Sequence, residues 1–415
     1  MKYVIIGNGA AAISAAEEIR KNDTEGTIEL FSHEKYHTYS RPLISYYLCG
    51  ETDEKRMLYR SADFYEKMRI TPHLGKTVTK IDRERKRIVA DKTTYDYDKL
   101  LIASGSVPFI PPIAGIEGRK NVYTFLNMED AKRLKKNISE KDHVVVVGGG
   151  LIGFKAAEGL SAVAASVTVV ELSERVLTTI LDNQAGEIMA RRLESHGVRT
   201  VLRDSVSSLE RDSVTLKSGK TLPCSALVVA VGVRPNAALA RECGLDVGRG
   251  IICDSSQKTN DSDIYAAGDV CESVDITDGE RRVLALLPNA VRQGKVAGSC
   301  MSGGKMEFAG GYPMNAIDFF GTYITTAGVI NPPAGKGYKV KALSDGDKYR
   351  KIVIKDDTLC GFILINDPEQ SGVMTSIMAD KTKLSSLKKS VKESADMFSF
   401  DEKTRFIKLH GRCEI

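Results

Sequence analysis

Two short glycine-rich segments in this chain have the residue types and spacing to hold a pyrophosphate. The first is Gly7-Asn8-Gly9-Ala10-Ala11-Ala12, and the second is Gly148-Gly149-Gly150-Leu151-Ile152-Gly153. Glycine in the first place permits a sharp turn. Glycine in the third place lets backbone approach phosphate oxygens, and a small residue in the sixth lets helix pack on strand. A helix that starts there presents free N–H groups and the positive end of its dipole to the anion. One such turn is a weak signal, because glycine turns are common. Two of the same form imply two dinucleotides on one chain, the arrangement needed to move electrons from one cofactor to another.

A cradle of this kind also needs an acid at the end of the next strand, where it accepts hydrogen bonds from ribose hydroxyls, about 20 residues after the loop. In the second repeat Glu171 stands there, at the end of Ser166-Val167-Thr168-Val169-Val170. A carboxylate would repel a 2′-phosphate, so Glu171 favours NADH over NADPH. Arg175, four residues on, gives NADPH only weak support. In the first repeat the strand-end place holds Ser32, and Glu34 follows within reach of a ribose across a slightly longer turn. The plain alternative for both acids is a solvated carboxylate.

The elements that must position these residues are legible as pattern. Tyr3–Ile6 and Val144–Val147 are continuous apolar runs, the mark of parallel strands buried on both faces. Thr27–Phe31 alternates like a second strand. Tyr97–Gly105, Leu227–Gly232 and Asp263–Asp269 each read as a strand that ends in small residues, with an acid closing the last. Pro108 to Pro112 signals a linker, and a helix is expected from near Asn289. From about Gly311 the texture changes to alternating runs, Lys351–Ile354 and Leu359–Ile365, which predict an antiparallel sheet, and a basic helical tail follows with Lys381, Lys383, Lys388, Lys389 and Lys392. The expected fold class is α/β: two Rossmann-like three-layer domains and a C-terminal α+β domain. The expected boundaries are 1–110 with 240–310, 111–239, and 311–415.

Composition narrows the function classes. The 415 residues are 42% hydrophobic and 27% charged, with a net charge of +5. That charge argues for no nucleic acid but suits an acidic partner protein. The apolar N-terminus is only a strand long and meets glycines at once, so neither a signal peptide nor a membrane span is expected, and the expected location is cytoplasmic. Eight cysteines are scattered without CxxC spacing or a Cys/His ligand pattern, as in a reducing compartment. The six histidines are equally scattered, and no Ser/His/Asp or paired-carboxylate constellation appears.

The order Gly7-Asn8-Gly9, Ala103-Ser104-Gly105, Gly148 through Gly153, Gly232-Val233-Arg234-Pro235-Asn236 and Ala267-Gly268-Asp269 resembles the FAD-dependent pyridine nucleotide-disulfide oxidoreductase superfamily. Within it, Tyr39-Ser40-Arg41-Pro42-Leu43 and Leu287-Pro288-Asn289-Ala290-Val291-Arg292-Gln293-Gly294 are similar to the NADH:rubredoxin reductase and nitrite-reductase flavoprotein branch. The resemblance covers nearly the whole chain. It implies FAD at the first loop (Gly7, Gly9, Ala11, Ala12, Glu34) and NADH at the second (Gly148, Gly150, Leu151, Ile152, Gly153, Glu171, Gly232). It further implies that Asp269, beside Gly268, holds the ribityl or phosphate region, that Arg41 and Ala103-Ser104-Gly105 lie along the FAD, and that Val78 offers its backbone to the adenine. The helix carrying Leu287 and Ala290 would aim its positive end at the flavin pyrimidine.

Three departures refine the implied activity. Where disulfide-active relatives carry a single cysteine beside the flavin, this chain has Pro42, and Cys49 lies seven residues further on. A thiolate must reach the ring to exchange electrons, so a cysteine relay is not expected. Lys155, just past Gly153, stands where relatives place a glutamate and would supply positive charge beside the flavin. Leu287 replaces a tryptophan found in some relatives. The expected activity is NAD(P)H oxidation through FAD, with electrons leaving to rubredoxin, ferredoxin or an iron–sulfur partner subunit. The alternatives are an NADH oxidase or small-molecule disulfide reductase, and a low-turnover flavin-bound redox-sensing subunit. The C-terminal domain would also serve a homodimer.

Overall fold

The structure, a computed structural model, describes residues 1–386. Each apolar run becomes the strand that precedes a glycine loop, flanked on both sides by parallel neighbours. Lys2–Ile6 pairs with Thr27–Ser32 on one side and Lys99–Ile102 on the other. Ile70–Leu74 and Ile264–Ala266 complete a five-stranded parallel sheet. Successive residues of the first strand enter different cores: Tyr3 and Ile5 pack with the Ala10–Asn22 helix, while Val4 and Ile6 pack with Ile88, Ile251 and Val270. Burial on both faces is why the run is apolar without alternation.

The second repeat has the same plan. His143–Val147 pairs in parallel with Ser166–Glu171 and Ala226–Val229, and Val198–Leu202 and Val122–Tyr123 form the edges. Each repeat also carries a three-stranded antiparallel meander: Val78–Asp82, Arg87–Ala90 and Thr93–Asp96 in the first, Val206–Leu209, Ser213–Leu216 and Thr221–Pro223 in the second. Ser106–Pro108 pairs antiparallel with Val233–Pro235.

From Met314 an antiparallel sheet follows, ordered Met314–Phe319, Thr322–Gly328, Thr358–Ile365, Lys348–Lys355 and Lys339–Asp345. The Ser371–Ala379 helix packs on it. Of the basic tail, Lys388, Lys389 and Lys392 lie outside the described residues.

By contacts the chain forms two compact units. One holds residues 1–109, 126–128 and 233–312; the other holds 110–125, 129–232 and the C-terminal sheet. Within the first unit, the Ala10–Asn22 and Leu287–Met301 helices touch backbone to backbone. A Cβ on Gly294 would lie 2.2 Å from the Ala11 carbonyl oxygen, and one on Gly298 would lie 2.4 Å from that of Ala15. Glycine is required here by proximity, not by backbone angle.

Within the second unit, polar groups bind the C-terminal sheet to the helices of the repeat. Asp182 caps the Asn183–Ser195 helix and also accepts from Lys351 Nζ at 2.9 Å and Tyr349 Oη at 2.6 Å. Arg192 Nε donates to the Phe320 carbonyl at 3.0 Å. No helix among the described residues is long and apolar enough to cross a membrane.

Candidate functional site

The two glycine loops agree bond for bond. Gly7 N–H donates to Phe31 O and Gly148 N–H to Val170 O, both at 2.8 Å. Ala103 N–H donates to Ile6 O and Ala230 N–H to Val147 O, again both at 2.8 Å. Gly7 and Gly148 have φ of +124° and +107°, which side chains rarely adopt. A Cβ would also strike the Ala103 carbonyl at 2.1 Å in one loop and that of Ala230 at 2.5 Å in the other. Gly9 and Gly150 cap the following helices in extended backbone, with no side-chain cap. Neither would bring a Cβ within 4 Å of another protein atom. Each helix start therefore opens onto free space with unshielded N–H groups, as an anion site requires.

The loops differ at the sixth position. Gly153 is irreplaceable on steric grounds, since a Cβ would lie 1.9 Å from the Gly148 carbonyl oxygen. The first loop accommodates Ala12, fully buried.

The acids differ as well. Glu171 lies over its own loop, accepting from Gly149 N–H at 2.5 Å and Ser173 N–H at 2.7 Å. Glu34 is turned to side chains: Arg41 Nη2 donates to its Oε1, and Tyr39 Oη donates to its Oε2 at 2.6 Å.

Around the first loop the structure shows a cavity of about 340 Å³, within the usual range for small-molecule sites. Of the residues expected there, it gathers Gly7, Gly9, Glu34, Arg41, Val78, Ala103, Ser104, Gly105 and Asp269 in its wall. Burial pushes the Asp269 carboxyl above the usual aspartate range, and the nearby Arg41 charge opposes that push. Ala11, Gly268 and Ala290 lie outside the wall and meet one another instead: a Cβ on Gly268 would sit 3.1 Å from Ala11 Cβ and 3.7 Å from Ala290 Cβ. They set the depth of the Asp269 turn, which Gln293 also holds by accepting from Gly268 N–H at 2.8 Å. The helix begins at Leu287, two residues before the expected start, because Pro288 suits a first turn. Leu287 itself is 45% exposed, and Asn289 is buried, donating to Tyr312 O at 3.5 Å.

Sequence reasoning missed several wall residues. Ser106 lines the cavity with a buried hydroxyl that has no partner among the described residues. The same deficit recurs at His37 Nε2, Thr38 Oγ1 and Ser45 Oγ. Residues 36–38 are tied to the first loop. Asn8 Nδ2 donates to Tyr36 O, Tyr65 Oη donates to Asn8 Oδ1, and Thr38 N–H donates to Tyr65 Oη. Buried polar atoms without partners are uncommon in proteins, and that of Ser106, in the cavity wall, fits a polar ligand such as a dinucleotide. Asn236 completes the floor, accepting from Ser104 Oγ at 2.8 Å. No motif pointed to Ser106, because its place depends on the pairing of two distant three-residue strands, whereas Asn236 ends the Gly232–Asn236 motif without being assigned to the site.

In the second unit, Gly148, Gly150, Leu151, Ile152 and Gly153 form the turn and first helical residues, and Gly232 follows the Ala226–Val229 strand with φ of +126°. Lys155 faces the C-terminal sheet. Its Nζ donates to Glu158 Oε2 and to the Asp318 carbonyl, both at 2.6 Å, and lies 4.8 Å from the Phe319 ring centre. Glu158 in turn accepts from Phe320 N–H at 2.7 Å.

Cys49 ends the Ile44–Cys49 helix, and burial holds its thiol above the ordinary value. Among the described residues no cysteine lines the cavity and no His/Cys/Asp/Glu group could hold a metal.

Comparison with known proteins agrees with this geometry. The pyridine nucleotide-disulphide oxidoreductase model matches residues 1–294, and a rubredoxin NAD+ reductase C-terminal domain model matches residues 313–393. The chain is 30% identical over 396 residues to the NADH-dependent phenylglyoxylate dehydrogenase subunit epsilon of Aromatoleum evansii, covering 93% of each. It is 32% identical over 400 residues to the assimilatory nitrate reductase electron transfer subunit of Bacillus subtilis, covering 94% of this chain and about half (51%) of that protein. Among solved structures, a NAD-dependent persulfide reductase from A. fulgidus matches with a TM-score of 0.87 at 27% identity, covering 93% of this chain and 78% of the other. Two matched dinucleotide cradles in one chain, together with these relatives, lead to one conclusion: the chain belongs to the pyridine nucleotide-disulphide oxidoreductase family and is an FAD-dependent NAD(P)H oxidoreductase.

Proposed function

We propose that this protein oxidises NADH through FAD and delivers the electrons to a separate redox protein, either a rubredoxin- or ferredoxin-type carrier or an iron–sulfur partner subunit. The observation that carries this reading is the pair of equivalent glycine cradles in one chain. Similarity to an NADH-dependent subunit and to an electron transfer subunit supports an external acceptor over a small molecule. In this reading residues 1–110 with 240–310 bind FAD, 111–239 bind NADH, and 311–415 form the third domain.

Bound at the first cradle, FAD supplies two-electron uptake from a nicotinamide and stepwise release to a carrier. The chain's own task is placement. Gly9 N–H and the start of the Ala10–Asn22 helix would receive the pyrophosphate. Glu34 and Arg41 would hold the adenosine end, Val78 would meet the adenine, and Asp269 would hold the ribityl or phosphate region. Ser106 Oγ would gain the partner it lacks. Gly150 and Glu171 would hold the NADH pyrophosphate and ribose. Such a reaction needs proximity and orientation more than an acid or base.

Anaerobic NADH titration of the purified yellow protein tests the reading, followed by stopped-flow mixing with candidate carriers. Bleaching by one equivalent of NADH and rapid reoxidation by a carrier is the expected result. Slow bleaching, or rapid NADH consumption with oxygen alone, would overturn it in favour of a sensing subunit or an oxidase.

A further inference from the structure

We infer that Tyr39 is a positioning residue for the dinucleotide site: with Arg41 it uses Glu34 as a common anchor to fix residues 126–128 as one wall of the cavity. The inference rests on the first cradle being the FAD site.

The geometry is a bracket. Tyr39 Oη donates to Glu34 Oε2 at 2.6 Å and accepts from Met128 N–H at 2.9 Å. Arg41 Nη2 donates to Glu34 Oε1, and its Nη1 donates to the Leu126 carbonyl at 3.4 Å. Both side chains thus converge on one carboxylate and grip the backbone on either side of Asn127. Leu126 and Asn127 line the cavity together with Glu34 and Arg41. The Arg41 guanidinium also lies 5.3 Å from the Tyr39 ring centre. Burial, helped by the Glu34 carboxylate, holds the Tyr39 phenol above its ordinary value, so it remains a donor at all working pH.

The strap has a reason to need fixing. Residues 126–128 pack with the first compact unit, whereas 110–125 and 129–232 pack with the second. Met128 is buried at 2% exposure, and the bonds from Tyr39 and Arg41 add the direction that packing of a three-residue strap does not define by itself. A donor and an acceptor at one phenol, both satisfied, meet that need.

The test uses the whole chain and measures FAD affinity and amide exchange. Tyr39→Phe keeps the ring and removes both bonds. FAD dissociation from the variant, followed by the rise in free-flavin fluorescence, should give a Kd about tenfold higher. The Met128 amide should exchange about tenfold faster, while the Lys2–Ile6 and Thr27–Ser32 strands keep their protection. Glu34→Gln should produce the same exchange phenotype. The double variant should be less than additive, because one bracket is being broken twice. An unchanged Kd and unchanged exchange at Met128 in Tyr39→Phe would overturn the inference. A wild-type chain that takes up no FAD would instead overturn the site assignment, and the exchange measurement would still judge Tyr39.

Discussion

At the scale of single residues, the two repeats use their acids differently. Glu171 accepts from Gly149 N–H and Ser173 N–H, so it already shapes the loop that would hold the nicotinamide dinucleotide. Its carboxylate can accept ribose hydroxyls without giving up either bond, since each oxygen has two lone pairs. Glu171→Gln should raise KM for NADH by about tenfold with kcat nearly unchanged, the loss of one charge-assisted bond. Steady-state kinetics with NADH and NADPH checks this; an unchanged KM would show that Glu171 serves the loop alone. Lys155 poses a sharper choice. Its ammonium is shared between Glu158 and the Asp318 carbonyl, which makes it a tie to the C-terminal sheet, while its place after the second loop makes it a candidate charge for the flavin. Lys155→Met separates the two. A flavin-proximal charge predicts a two-electron potential lower by about 30 mV, equivalent to ~1.4 kcal/mol. An unchanged potential with a lowered melting temperature would leave only the tie. Redox titration against a dye of known potential decides.

At the scale of elements, strength comes from where helices and strands are joined, as the Asp182 cluster shows. Asp182 caps the Asn183–Ser195 helix and meets Lys351, whose side chain is 8% exposed. Burial opposes the charge on Asp182, yet the bonds from Lys351 and Tyr349 prevail and hold its carboxyl below the ordinary aspartate value. A carboxyl held low in the folded state adds stability that is full above the unfolded value and is lost as pH falls through the folded one. The melting temperature should therefore drop on acidification below about pH 4. Asp182→Asn should destabilise the protein at neutral pH by about 3 kcal/mol, because Lys351 stays buried without its counter-charge. Its curve should approach that of the wild type toward about pH 2, and parallel curves would refute the assignment. None of this cluster was legible in the chain, because Asp182 and Lys351 are brought together only by tertiary packing. The two cradles were legible, because strand, loop and helix are contiguous and each glycine has a local steric reason: Gly7 and Gly148 by φ, Gly153 by a 1.9 Å approach. The helix expected near Asn289 begins two residues earlier, at Leu287, because Pro288 suits a first turn. The partners of Glu34, the Asn8–Tyr65–Thr38 chain and the Ser106 hydroxyl needed distant segments to meet, and no periodicity reports that.

At the scale of the whole molecule, the remaining question is how electrons leave. A net charge of +5 on 415 residues is modest, and the proposal of an acidic carrier requires that it bias encounter. Uptake of electrons from NADH and their release to a carrier should then respond differently to salt. The first takes place between two cofactors held by the same chain, so it has no long-range encounter to screen. The second requires two proteins to meet, and at about 0.15 M salt charges more than about 8 Å apart are largely screened. Raising ionic strength from about 0.01 to 0.5 M should therefore reduce kcat/KM for an acidic carrier severalfold or more, through slower association. The rate of flavin bleaching by saturating NADH should stay flat over the same range. A carrier reaction as indifferent to salt as the bleaching step would mean that charge does not guide docking. A partner subunit bound permanently through apolar contact would then be the better description of the acceptor. Bleaching that itself slows with salt at saturating NADH would place the sensitivity in a step after NADH binding and remove the argument for an acidic partner.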